Sequence, residues 1–258
     1  MELLKDNRNT HLSKVFSGIV WRICIDEEND LVALEIRNQE IKTTTFSCID
    51  LKKRKITFNE LKLEENWFCG IETISSGVLL LHYYVGETTP EHKGMLAYDA
   101  FNGTKLWENY SLTYDGDTVG CFKAFNPKFE PRKNVFLNKF TGEEIKNLIA
   151  GDSPMFQNRS VKMPFEIPIE QIPQQIGDKC DVISAEYLTI DKKSIYSVYL
   201  QDNQFITSSV YVFDDGDIPI WEDKMRTGIQ KTGFDTFFVY KNYLMYLKNQ
   251  TEFVCYFL

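Results

Sequence analysis

The feature that most constrains this chain is a strand–turn–strand unit that returns. In Met95-Leu96-Ala97-Tyr98-Asp99-Ala100-Phe101-Asn102-Gly103-Thr104-Lys105-Leu106-Trp107-Glu108, apolar residues alternate up to Asp99, an Asn-Gly turn follows, and a short second strand carries Trp107. Residues 209–222 repeat the arrangement, with Asp214 closing the first strand and Trp221 in the aromatic slot. Residues 46–58 supply a third copy, with Asp50 and Phe58 in those two places. Laying Asp50 over Asp214 aligns 41–50 with 205–214 without a gap, and the preceding strands, 32–36 and 196–200, also correspond. Alternating strands between polar turns, recurring at long intervals, predict an array of small antiparallel sheets.

Read as modules of four strands, the chain gives first strands starting near residues 20, 69, 120, 181 and 234, a repeat of about 50 residues. The third module is irregular: 120–125 is followed by a hairpin-like 135–145, with no clear strand between them. The fifth stops after three strands, while 12–16 near the N-terminus is a strand without a module. If the N-terminal strand completes the last sheet, both leftovers are used and exposed edges are removed. The expected fold is therefore all-β: a five-bladed β-propeller of four-stranded antiparallel blades, the last closed by the N-terminal strand. A tandem β-sandwich is the alternative, but it explains neither the period nor the missing strand. The expected organisation is one domain over 1–258, interrupted at about 147–177 by an irregular segment with Pro154, Pro164, Pro168 and Pro173. Proline removes ladder donors, so this segment is either a long connection or, through 159–167, the source of the third module's lacking strand.

Composition excludes several classes of function. The net charge of −8 disfavours nucleic acid, whose phosphates require a basic surface. The basic run Lys52-Lys53-Arg54-Lys55 falls in a hairpin turn and reads as a solvated tip. No apolar run approaches the roughly 20 residues that span a bilayer, and 1–10 lack the apolar core of a secretory signal. Six cysteines stand singly, without a CxxC pair, which removes the usual zinc signatures and suits reduced, buried thiols. A cytoplasmic, non-membrane protein is expected.

The segment 94–107 resembles the repeat of the quinoprotein-like propellers, in which a strand ending in Ala-hydrophobic-Asp-Ala is followed by a Thr-Gly or Asn-Gly turn and Lys-hydrophobic-Trp. Lys139-Phe140-Thr141-Gly142-Glu143-Glu144-Ile145 and the stretch from Phe213 to Trp221 match more loosely. Over the whole chain the similarity is to a family of compact bacterial cytoplasmic propellers carrying a domain of unknown function. The resemblance implies a fold and not an activity. Quinone-dependent members are exported and hold their cofactor with calcium and often a vicinal disulfide; lacking an export signal and a Cys-Cys pair, this chain is expected to carry no such cofactor. Within the repeat, the turn glycine accepts positive φ, the aromatic covers the joint between sheets, and the recurring Asp accepts hydrogen bonds from turn amides.

Motifs for chemistry are sparse. There is no phosphate loop, nucleophile elbow or Cys–His signature. Asp115-Gly116-Asp117 and Asp215-Gly216-Asp217 do not continue into the spaced ligands of a calcium loop and read as polar turns. His82 alternates with apolar neighbours in a strand, which suggests a structural role, and no metal site or catalytic residue is expected. The longest non-repeating connections, 84–93 and 109–119, surround one mouth of the expected channel. They place His82, Tyr84, His92, Tyr114, Asp115 and Asp117 there, and Trp67 adds an apolar patch. The expected function is a protein-interaction or ligand-binding platform without catalysis, its partner a protein or small molecule. The alternative is a propeller hydrolase or lyase with carboxylates or His82 at the mouth.

Overall fold

The computed structural model describes residues 11–118, 120–146, 160–177, 181–202 and 205–258. Five antiparallel sheets account for nearly all of its regular structure. They fall into two compact units, Ser17–Arg159 and the remainder, Met1–Phe16 with Ser160–Leu258. Among the described residues, no helix is long and apolar enough to cross a membrane.

Among the described residues the first strand is β1 (His11–Val15), which belongs to the second unit. In Ser17–Arg159, the first sheet comprises β2 (Ile19–Asp26), β3 (Leu31–Asn38), β4 (Thr43–Asp50) and β5 (Lys55–Leu61) in that order. The second comprises β6 (Cys69–Ser75), β7 (Val78–Gly86), β8 (Thr89–Asp99) and β9 (Lys105–Asn109), again in order. The third has β10 (Thr113–Asp117), β11 (Cys121–Phe125) and β12 (Asn134–Asn138). Sequential antiparallel pairing follows from short polar turns between alternating strands.

In the second unit the fourth sheet runs β14 (Phe165–Ile167), β15 (Asp181–Ile190), β16 (Lys193–Asp202), β17 (Phe205–Phe213), β18 (Pro219–Ile229). The fifth has β19 (Phe237–Tyr240), β20 (Tyr243–Lys248) and β21 (Glu252–Phe257), flanked by β13 (Val161–Lys162) beside β19 and β1 beside β21. The register of that last pairing runs from His11↔Tyr256 to Val15↔Glu252. The N-terminal strand thus completes the final sheet, as the two leftovers in the sequence required.

Three local readings are corrected. Residues 120–125 were expected to open the third sheet, yet they contain its second strand; the first, β10, lies inside 109–119, read as a connection. Its sequence, Thr-Tyr-Asp-Gly-Asp, is too polar to alternate visibly, and backbone pairing with β11 defines it instead. Residues 84–93 form no open loop but the paired tip of a long hairpin, with Tyr84 opposite His92 and Gly86 opposite Thr89. The described part of the segment 159–167 does not serve the third sheet: β13 pairs with β19 and β14 with β15. Residues 147–159 of the proline-rich stretch, and Cys180, lie outside the described residues.

The repeat's chemistry acts as its residue types require. Asp99 Oδ1 accepts from the Phe101 N–H at 2.7 Å, Asp50 Oδ1 from Lys53 N–H at 2.8 Å, and Asp214 Oδ1 from Gly216 and Ile218 N–H, each at 2.9 Å. Asn138 does the same in the third sheet, accepting from Phe140 at 2.9 Å. The aromatic of one sheet lies on the turn glycine of the next: Phe58 on Gly103 and Trp107 on Gly142, whose φ values are +76° and +69°. Trp107 also donates its indole N–H to the Lys139 carbonyl at 2.8 Å. Apolar side chains fill the joints between neighbouring sheets, with Leu31, Phe46, Ile71, Leu79 and Leu96 in one cluster and Val78, Leu80, Phe122 and Leu137 in another.

A second repeat is invisible in the sequence. The first strand of each of the first four sheets (β15 in the fourth, after the short edge strand β14) carries a β-bulge, at Trp21, Glu72, Asp115 and Ile183. A bulge leaves one residue without a cross-strand partner and re-aims its side chain. In the second sheet that residue is a glutamate.

Candidate functional site

His82 lies on β7 opposite Gly70 of β6, and its side chain is fully buried. The missing side chain at Gly70 makes room for it: a Cβ there would stand 3.1 Å from His82 Cε1 and Nε2 and from Glu35 Oε2. Tyr84, two residues along the same face, faces His92 across the hairpin. The imidazoles of His82 and His92 stack at 3.6 Å between centroids, 10° from parallel, and the Tyr84 ring stands edge-on to both.

The bulge residue Glu72 brings a carboxylate to this pair. Its Oε1 is 2.7 Å from His92 Nδ1, in hydrogen-bond geometry, and 3.3 Å from His82 Nδ1. The second contact is close without being a hydrogen bond, and both ring nitrogens of His82 are buried with no hydrogen-bond partner among the described residues. Burial, aided by the charges of His92, Arg22 and Arg37, pushes the His82 pKa down to about 2. A charged imidazolium cannot be solvated there, so His82 is neutral throughout the ordinary pH range.

The first sheet braces the cluster. Glu35, almost fully buried, accepts from the Ile71 N–H at 2.9 Å and from Arg37 Nε at 2.7 Å. Arg37 reaches the Cys69 carbonyl at 3.0 Å, and Arg22 the Ile71 carbonyl at 2.6 Å. Both arginines therefore grip the β6 backbone beside the bulge. The Arg37 guanidinium also lies 5.7 Å from the Trp67 ring and 6.0 Å from the Tyr84 ring, within cation–π range.

Two cavities flank the hairpin. One, of about 360 Å³, is lined by Arg37, Trp67, Tyr84 and the hairpin tip from Gly86 to Pro90. The other, of about 560 Å³, is walled by His92, Lys93, Thr113, Tyr114 and Phe125. Burial, then the nearby Asp117 charge, raises the Tyr114 phenol well above its ordinary pKa. A larger cavity of about 730 Å³, lined by Leu112, Phe129, Pro131 and Val135 with Arg132 and Lys133, lies away from the histidines.

Of the residues singled out in the sequence, His82, Tyr84 and His92 meet directly, Trp67 joins Tyr84 in one cavity, and Tyr114 joins His92 in the other. Asp115 and Asp117 are engaged elsewhere. Asp115 pairs with Lys123 at 2.6 Å and with Arg132; Asp117 faces the buried ammonium of Lys139 at 2.6 Å. Sequence reasoning missed Glu72, Glu35, Arg22, Arg37 and Gly70. Glu72 in Gly-Ile-Glu-Thr looks like any solvent-facing strand glutamate, and no sequence signal marked the bulge that turns it inward.

Residues 25–107 match the model of a domain of unknown function (DUF4905). No curated protein matches the chain. Among solved structures, a crystal structure of the eukaryotic initiation factor aligns at a TM-score of 0.33 and 9% identity, covering 82% of this chain and 55% of the other; the chain thus spans about half that protein's length. A member of the DUF4221 family from Bacteroides vulgatus aligns at 0.26 and 9% identity, covering 96% of each chain. An oligogalacturonate lyase in complex with manganese aligns at 0.23 and 10% identity, covering 93% of this chain and 77% of the other. At these scores the likenesses carry no argument about function.

Proposed function

We propose that this protein is a cytoplasmic binding module without catalysis, its five sheets the blades of a single β-propeller and its small-molecule site at the β7–β8 hairpin. The blade reading draws support from sequential strand pairing, the recurring bulge, and the pairing of β1 with β21. The observation that carries the binding reading is the cluster of Glu72, His82, Tyr84 and His92 beside two cavities. Convergent polar groups in a concave, partly aromatic setting are what ligand sites share, whereas the turn aspartates are consumed by structure.

The test is a thermal-shift and calorimetric screen of the full chain against small polar metabolites. A hit should lose at least ten-fold in affinity with Tyr84→Ala and with His92→Ala. Hits indifferent to both substitutions would move the site elsewhere and overturn the assignment.

One observation favours a second reading, a hydrolase or lyase. Glu72 holds His92 Nδ1 at 2.7 Å, and a carboxylate that orients one imidazole nitrogen leaves the other to act as general base. Under that reading, any general-base turnover the protein shows would vanish in both Glu72→Gln and His92→Ala.

A further inference from the structure

We infer that Glu72, His82 and His92 bind one divalent transition-metal ion of the zinc class. The inference rests on the binding reading above and names a ligand for the same cluster. Each residue offers one ligand atom, and the three atoms lie within 4.8 Å of one another. The carboxylate oxygen is 2.7 Å from one Nδ1 and 3.3 Å from the other. Ligand atoms about 2.0–2.1 Å from a tetrahedral ion stand roughly 3.3 Å apart; the Glu72–His82 contact has that spacing, and the 2.7 Å Glu72–His92 hydrogen bond would open, its proton moving to Nε2, as the ion enters.

The independent observation is His82. A fully buried imidazole whose two nitrogens lack hydrogen-bond partners among the described residues is costly and calls for an explanation. Gly70 lies beside the Cε1–Nε2 edge of the His82 ring and leaves it room. His92 is different: its side chain is 31% exposed, on the wall of the 560 Å³ cavity. Stacked rings send their in-plane lone pairs along nearly parallel lines, so joint ligation requires them to splay. His92 has the room to do so, and its movement would close the site.

Charge and donor type narrow the ion. Arg22 and Arg37 oppose a cation, but Glu35 pairs with Arg37 at 2.7 Å, leaving the Glu72 carboxylate to offset the ion's charge. Two imidazole nitrogens and one carboxylate oxygen suit zinc, cobalt or iron(II); calcium and magnesium prefer all-oxygen shells. Three protein ligands leave a coordination position open. That position would take an oxygen ligand from the cavity bearing Lys93 and Tyr114.

The experiment uses the full chain, stripped with a chelator and titrated with Zn²⁺, Mg²⁺ or Ca²⁺ by calorimetry and equilibrium dialysis. One equivalent of Zn²⁺ should bind, at least 100-fold more tightly than Mg²⁺ or Ca²⁺. His92→Ala and Glu72→Gln should each weaken binding by about 100-fold or more, since losing even an outer-shell partner costs 10–100-fold. Circular dichroism establishes that the variants fold. The wild-type protein supplies a readout independent of them: of its three histidines, His82 and His92 should shift their ring NMR signals on Zn²⁺ addition while His11 does not. Absence of saturable Zn²⁺ binding, binding that survives both substitutions, or unshifted His82 signals would each overturn the inference. If Zn²⁺ fails while an organic ligand still binds in a Tyr84-dependent way, the binding-module reading stands without the metal.

Discussion

Replacing Gly103 by alanine tests how the sheets are joined. Gly103 holds φ at +76°, and a Cβ built on it would lie 2.9 Å from Phe58 Cγ, 3.1 Å from Cβ and 3.2 Å from Cδ1. Two costs arise. Left-handed backbone disfavours an L-residue by about 1–2 kcal/mol, and pressing a methyl into the root of a packed aromatic adds about 1–3 kcal/mol. Gly103→Ala should therefore destabilise by about 2–5 kcal/mol, read as a lower urea midpoint at unchanged m. Phe58→Gly removes every atom of the clash, Cβ included, but not the backbone strain. In that background the glycine substitution should cost only about 1–2 kcal/mol, giving a coupling of about 1–3 kcal/mol in a double-mutant cycle. A coupling under about 0.5 kcal/mol would show that Phe58 and Gly103 do not meet, and would refute the aromatic-on-glycine joint. Gly142 beneath Trp107, with φ at +69° and a closest approach of 2.6 Å, should behave alike.

Other predictions concern buried polar and thiol groups. Glu186, nearly fully buried, accepts from the Asp235 N–H at 2.6 Å and the Thr236 N–H at 3.1 Å; Glu186→Ala strands both donors and should cost about 2–4 kcal/mol in urea unfolding, with an effect under 0.5 kcal/mol refuting the tether. Gly70→Ala crowds His82 and Glu35 and should destabilise by about 1–3 kcal/mol while abolishing the His82–His92 ring contact, seen as shifted histidine NMR signals. Burial pushes the Cys48 and Cys69 thiols up to about 12. Above the ordinary thiol value of 9.0 the unfolded chain releases protons that the native state keeps, so stability should fall between pH 9 and 12, by at most about 1.4 kcal/mol per pH unit per thiol. Stability unchanged from pH 8 to 10.5, or rapid native-state alkylation of Cys48 at pH 8, would contradict the burial of these thiols.

The legible part of the fold was that governed by local rules. Asp50, Asp99 and Asp214 announce hairpins because a short carboxylate can satisfy turn amides wherever the strand ends. β1 could be matched to β21 because an unpaired strand at one end and a missing one at the other leave a single economical pairing. β10 was illegible for the opposite reason. Its polar Thr-Tyr-Asp-Gly-Asp run offers no alternation, and only the neighbouring β11 makes it a strand. The site divides in the same way. His82, Tyr84 and His92 stood out as unusual residues near one hairpin, but Asp115 and Asp117 looked equally available until Lys123, Arg132 and Lys139 were seen to occupy them.

By itself, then, the sequence determined an all-β chain of repeated hairpins, because strand alternation, turn glycines and turn aspartates act over a few residues. Only the tertiary structure decided where the chemistry gathers. A bulge of one residue turns Glu72 toward two stacked histidines, and a glycine opposite His82 lets the ring sink out of solvent. Both depend on cross-strand register, which joins residues by hydrogen bonding across strands and so leaves no mark in their order along the chain.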